Sequence, residues 1–183
     1  MAEAAIFMTT GTEEVEALMV VDLVRRAGIE IDMVSIDDSK VMTGSHGITV
    51  QLDKNFAEVD WDGLDMIILP GGMPGTNNLM AYTPLADKIK EFDGSGKKLA
   101  AICAAPSILG KNGVLKGHKA TCYPGYEDAL VGAEYKKEPV VTDGNVITSR
   151  GLGTVTEFAA AIIEKLRDKE TAETILRKIV YFG

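Results

Sequence analysis

The stretch "KLAAICAAPSILG", residues 98–110, decides the fold. An apolar run of buried-strand character ends in Cys103, two alanines follow, and Pro106 suits the first turn of a helix, where its missing N–H costs nothing. A strand that passes into a helix within a few residues is the first half of a βαβ unit. The same alternation recurs on either side. "AAIFM" (4–8) reads as a buried strand, and Glu13–Ala27 as a helix with Thr12 as N-cap and Gly28 ending it. "EIDMVSI" (30–36) alternates as a second strand, and 41–52 holds two short strand-like pieces around Gly44–Gly47. "LDMIILPGG" is a buried strand stopping at a Pro-Gly-Gly turn, and residues 76–92 carry one amphipathic helical pattern. Further strands are predicted around 119–123 and 139–149, and closing helices at 154–167 and 169–180. Alternating strands and helices imply a mostly parallel sheet covered on both faces, an α/β sandwich in one domain over residues 1–183.

Composition excludes several function classes. The net charge is −8 with no basic stripe, which disfavours a nucleic-acid partner. No apolar run approaches the ~18 residues of a transmembrane helix. The opening "MAEAAIFMTTGTEE" has no basic n-region, so no signal peptide is predicted, and Cys103 and Cys122 are expected as free thiols in a cytoplasmic protein. His46 and His118 match no zinc spacing, so no metal is predicted.

In open parallel sheets ligands gather beyond the carboxyl ends of the strands. The segments to read are therefore "TTGTEE", "PGGMPG", "CAAP", "CYPG" and "SRGLGT". Cys103 at a strand-to-helix turn faces free N–H groups that favour thiolate, with small neighbours as in a nucleophile elbow. Free cysteine is also among the most buried residue types, so an inert core residue remains open from this stretch alone. Glu16 shares an apolar stripe with Met19, Val20 and Leu23, where desolvation would raise its pKa and let it exchange protons. Glu13 and Glu14 suit the plainer role of exposed acids complementing the helix dipole. Gly71 and Gly72 allow close backbone approach, and their N–H groups can serve an oxyanion or simply make a tight turn. The stretch is neither a Walker loop nor G-x-G-x-x-G, and "RGLGT" lacks the third glycine of a dinucleotide site. Arg150 is expected to bind an anion or, more in keeping with its place, to pair with an acid such as Glu13. Cys122 reads as a small core hydrophobe and His46 as a solvated loop residue.

Together "GTEEVEA", "ILPGGMPGTNNL", "AAICAAP" and "ITSRGLGT..EFA" resemble the ThiJ/PfpI superfamily, most closely its DJ-1 branch, over nearly the whole chain. The resemblance implies a flavodoxin-like sandwich, a homodimer, and Cys103 on a nucleophile elbow with Glu16 as its carboxylic partner. It also implies an oxyanion pocket from the Gly72 and Ala104 amides, with Glu13 and Arg150 as a polar pair beside it. Protease-type members carry histidine after the cysteine, where this chain has Ala104, and no histidine is placed in sequence to complete a Cys-His-Glu triad. Tyr123 and His46 stand where the animal branch has histidine and arginine. The implied activity is cofactor-independent attack on reactive carbonyls: methylglyoxal, glyoxal, or their early adducts on protein side chains. The rival is an oxidative-stress redox sensor or chaperone-like protein using a reversibly oxidised Cys103.

Overall fold

The computed structural model describes residues 2–182. Ala4–Met8 (β1) is buried along its whole length because its side chains leave both faces of a covered sheet. Ala4, Ile6 and Met8 enter one apolar core, and Ala5 and Phe7 enter the other. Glu14–Arg26 (α1) follows, then Ile31–Ser35 (β2), which pairs parallel with β1. Val41–Thr43 (β3) and Thr49–Gln51 (β4) form the antiparallel hairpin expected at 41–52. Lys54–Asn55 (β5) edges the sheet, and Met66–Leu69 (β6) lies on the other side of β1.

Gly75–Ala81 (α2) and Thr83–Gly94 (α3) replace the single helix predicted at 76–92. Pro84 sits in the first turn of α3 and has no N–H to continue a helix from α2, so the chain breaks at an extended Tyr82. Lys98–Ile102 (β7) then leads to Cys103 and the short helix Pro106–Lys111 (α4). The strand expected at 119–123 shrinks to Lys119–Ala120 (β8), which pairs with Glu134–Tyr135 (β9) in a small separate sheet. The span 139–149 holds two strands, Val140–Asp143 (β10) and Val146–Ser149 (β11), joined by a turn at Gly144 with φ of 59°. Val155–Leu166 (α5) and Lys169–Lys178 (α6) close the fold.

The main sheet runs β10-β11-β7-β6-β1-β2-β5, and only the β10–β11 pair is antiparallel. Val20 and Val24 of α1 share one core with Phe158 and Ile162 of α5, on one side of the sheet. Leu85, Ile89 and Phe92 of α3 and Leu109 of α4 fill the other. Fully burying each such side chain contributes about 1.5–3 kcal/mol, so the two cores hold the sheet rigid under the loops at its carboxyl end. Those loops follow β1, β6 and β7, which are adjacent strands, and that adjacency brings Glu16, Gly71 and Cys103 together.

Candidate active site

Cys103 has φ of 64°, a left-handed conformation uncommon outside glycine. Three contacts hold it there. Its N–H donates to Ser149 O at 3.0 Å, its carbonyl accepts from Tyr123 N–H at 2.8 Å, and Ala105 N–H donates to Ile102 O at 3.0 Å. The result is a side chain lifted off the end of β7 and half-buried. Strain of this kind persists where the surroundings over-determine it, and it clusters at functional positions.

The carboxyl beside it belongs to Glu16, only 1% exposed, as its place on the apolar stripe predicts. Its Oε2 accepts the Gly71 N–H at 2.9 Å, and it shares a hydrogen bond with the Cys103 thiol. Burial pushes Glu16 up to about 7, and the Glu13 charge adds to the rise, against the Gly71 amide and the thiol. Burial, the Glu16 charge and the Glu16 hydrogen bond push Cys103 up to about 12, against the amides of Ala104 and Gly72. This corrects the expectation of a thiolate favoured simply by a helix N-terminus. Between about 7 and 12 the pair therefore holds one proton, on sulfur with a carboxylate beside it. A thiolate in that range requires the proton to move to Glu16, which removes the two Glu16 contributions and leaves the two amides facing the sulfur.

Gly71 and Gly72 divide the work that the sequence assigned to both. The Gly71 N–H is taken by Glu16, so it is not an oxyanion donor, while the Gly72 amide faces the sulfur. A Cβ at Gly71 would lie 2.6 Å from Cys103 Cβ and 2.7 Å from Glu16 Oε2, whereas one at Gly94 would meet nothing within 4 Å. Gly71→Ala is therefore expected to lower stability by about 1–3 kcal/mol and to disturb the thiol–carboxyl contact. Thermal melting and the rate of Cys103 alkylation by iodoacetamide, with Gly94→Ala as the control, check it.

The N-terminus of α1 departs from the sequence reading. Glu13, not Thr12, is the N-cap, with its Oε2 accepting Glu16 N–H at 2.6 Å. Thr12 instead turns its hydroxyl back to accept Thr9 N–H. Glu13 is largely buried and Glu14 is 1% exposed, so neither is the solvated dipole partner expected. Burial works to raise the Glu14 carboxyl, but backbone amides, those of His46 and Ile48 among them, together outweigh it and hold it below the ordinary value. Glu14 Oε1 accepts His46 N–H at 2.7 Å and Ile48 N–H at 3.2 Å. That carboxylate fastens the β3–β4 hairpin to α1.

The fastening places His46 at the site, a position that sequence reasoning missed. A pocket of about 450 Å³ is lined by the polar Glu13, Glu16, Ser45 and His46 and by the larger Met73, Tyr123, Tyr126 and Leu152. Gly72, Cys103 and Ala104 complete it. Tyr123 and Tyr126 meet edge to face at 6.5 Å. Arg150 does not line the pocket and makes no ion pair with Glu13; its guanidinium donates to the Tyr135 hydroxyl at 2.8 Å. Cys122 is fully buried. Among the described residues, Glu13, Glu14 and His46 form the one group with the composition of a metal site, their ligand atoms within 4.8 Å of one another. Among the described residues, no helix is long and apolar enough to cross a membrane.

The DJ-1/PfpI family model matches residues 2–165. The chain is 35% identical to Protein dj-1beta of Drosophila melanogaster over 179 residues, 97% of this chain and 96% of that one. It is also 35% identical over 164 residues to a deglycase of Thermococcus kodakarensis, 88% of this chain and 98% of the relative. The solved structure of oxidized Toxoplasma gondii DJ-1 superposes with a TM-score of 0.95 at 33% identity, covering 100% of both chains. A family match along most of the sequence and relatives aligned over nearly their whole length agree with the elbow at Cys103, and the chain belongs to the DJ-1/PfpI family.

Proposed function

We propose that the protein is a cysteine enzyme acting on small reactive carbonyls, and on their early adducts with protein side chains, without a cofactor. The observation that carries this reading is the hydrogen bond between the Cys103 thiol and the buried Glu16 carboxyl, both lining one pocket. With the proton on Glu16, the Cys103 sulfur attacks the aldehyde carbon of methylglyoxal. The new alkoxide takes up the Gly72 and Ala104 amides and receives the Glu16 proton. The Glu16 carboxylate then removes the C–H proton of the hemithioacetal, and the enediol is reprotonated at the neighbouring carbon as the lactoyl thioester. This is an isomerisation, so neither oxidant nor reductant is consumed, and water releases lactate. An aminocarbinol adduct enters the same sequence by loss of its amine. Glu13 holds the start of the Glu16 helix, Tyr123 shapes the apolar rim, and Arg150 acts only from outside the pocket.

The Thermococcus relative named as a deglycase supports this class of substrate. A homodimer in a cytoplasmic setting goes with the reading; the two free thiols suit a reducing compartment, and exposed Val15 and Ile48 offer apolar surface to a second copy. A second reading, a redox sensor, draws on the half-buried thiol with two amides facing its sulfur, a setting that also stabilises a sulfinate, and on the oxidized form of the Toxoplasma relative. Lactate measured from methylglyoxal without glutathione, corrected for buffer-catalysed loss, tests the first reading. Many equivalents per enzyme support it; none rejects it.

A further inference from the structure

The proposed reaction ends with a lactoyl thioester on Cys103 that water must cleave, and Glu16 is poorly placed to activate that water. It meets the covalent adduct beside the thiol but is 1% exposed, with Oε2 committed to the Gly71 N–H. Glu13 Oε2 is committed to Glu16 N–H. The solvent-facing base lining the pocket is His46, whose side chain is 71% exposed.

The contacts of His46 assign its tautomer. Nδ1 lies 3.3 Å from Glu14 Oε2 and 3.6 Å from Glu13 Oε1. Glu14 already accepts the His46 and Ile48 amides through Oε1, and a carboxylate oxygen only accepts hydrogen bonds. Nδ1 therefore carries the proton, and Ser45 Oγ, 3.1 Å from Nδ1 and 3.4 Å from Glu14 Oε2, can donate to the same carboxylate. Nε2 is left with its lone pair free. A carboxylate at Nδ1 orients the ring and leaves Nε2 as the acceptor, the geometry a histidine base needs.

We propose that His46 is the general base of the hydrolytic step. This rests on the carbonyl reading above. Nε2 takes a proton from water as the water oxygen bonds to the thioester carbonyl carbon. The C–S bond breaks, and its electron pair leaves on Cys103 sulfur. One proton returns from the imidazolium to the Cys103–Glu16 pair, and the one released by lactic acid goes to solvent.

The test uses His46→Gln and His46→Ala with EDTA present throughout, so that no metal ion bound at Glu13, Glu14 and His46 contributes. In His46→Gln, steady-state lactate formation is expected to fall about 100-fold. Alkylation of Cys103 by iodoacetamide should be unchanged, and acylated Cys103 should accumulate, seen by mass spectrometry of intact protein. Added imidazole should restore turnover to His46→Ala in a concentration-dependent way, which a merely structural role would not allow. Wild-type turnover in His46→Gln overturns the proposal, as does lost turnover with neither acyl-enzyme nor imidazole rescue. A wild-type protein that makes no lactate rejects the carbonyl reading itself, and is seen before any variant is made.

Discussion

Replacing Cys103 with alanine is expected to abolish lactate formation from methylglyoxal, a loss of at least about 10³-fold, because the covalent route disappears with the nucleophile. The amides of Gly72 and Ala104 stay in place but have no hemithioacetal oxygen to receive. Initial rates of lactate release for wild type and Cys103→Ala, under identical methylglyoxal, give the comparison. Retained turnover in the variant would remove Cys103 from the chemistry. A second substitution separates chemistry from stability. Cys103 is held at φ of 64°, where a side chain costs about 1–2 kcal/mol that glycine does not. Cys103→Gly should therefore be as inactive as Cys103→Ala yet melt about 2–4 °C higher for each kcal/mol of relieved strain. Equal melting temperatures would mean that the elbow stores no strain.

Glu16→Gln is expected to lower turnover by about 10²–10⁴-fold while leaving Cys103 oxidisable by peroxide. Glutamine keeps an oxygen for the Gly71 N–H but cannot carry the proton. Removing the carboxylate also removes two of the three influences that hold the thiol up at about 12, so the thiol of the variant should ionise at lower pH. In the wild type, alkylation should rise only at higher pH, since the thiol is held up to about 12. A pH profile of alkylation in both proteins distinguishes these. Turnover that survives the substitution would refute Glu16 as the proton carrier.

The same substitution should show a stability effect of known sign. The folded protein holds the Glu16 proton more tightly than an unfolded chain does, at about 7 against 4.5. Its contribution is complete below pH 4.5 and is lost as the pH rises to about 7, by about 3 kcal/mol. Cys103 adds nothing to this window, since its own contribution is lost only between about 9 and 12. Glu16→Gln should accordingly gain melting temperature over wild type at pH 8 and show little gain at pH 4.5. An equal gain at both would assign the effect to packing rather than to the buried charge.

By itself the sequence determined the strand–helix alternation, the elbow at Cys103 and the burial of Glu16. All three are local: apolar periodicity states which face of an element is covered, and Pro106 marks where a helix begins. It also carried the β3–β4 hairpin, through the glycines between two short apolar runs. It misread the helix break at Tyr82, because one amphipathic period runs through Pro84 and hides the lost backbone donor. Tertiary structure alone decided what the buried polar groups bond to. Glu14 is ionised and buried because the His46 and Ile48 amides of a distant hairpin meet it, and no pattern within α1 encodes those donors. The same contact carries His46 into the pocket and leaves Arg150 to Tyr135 outside it. Gly71 serves Glu16 and Gly72 the sulfur because adjacent parallel strands end side by side, which fixes where each amide points. Burial is written in the spacing of side chains along one element, whereas hydrogen-bond partners depend on where other elements stop.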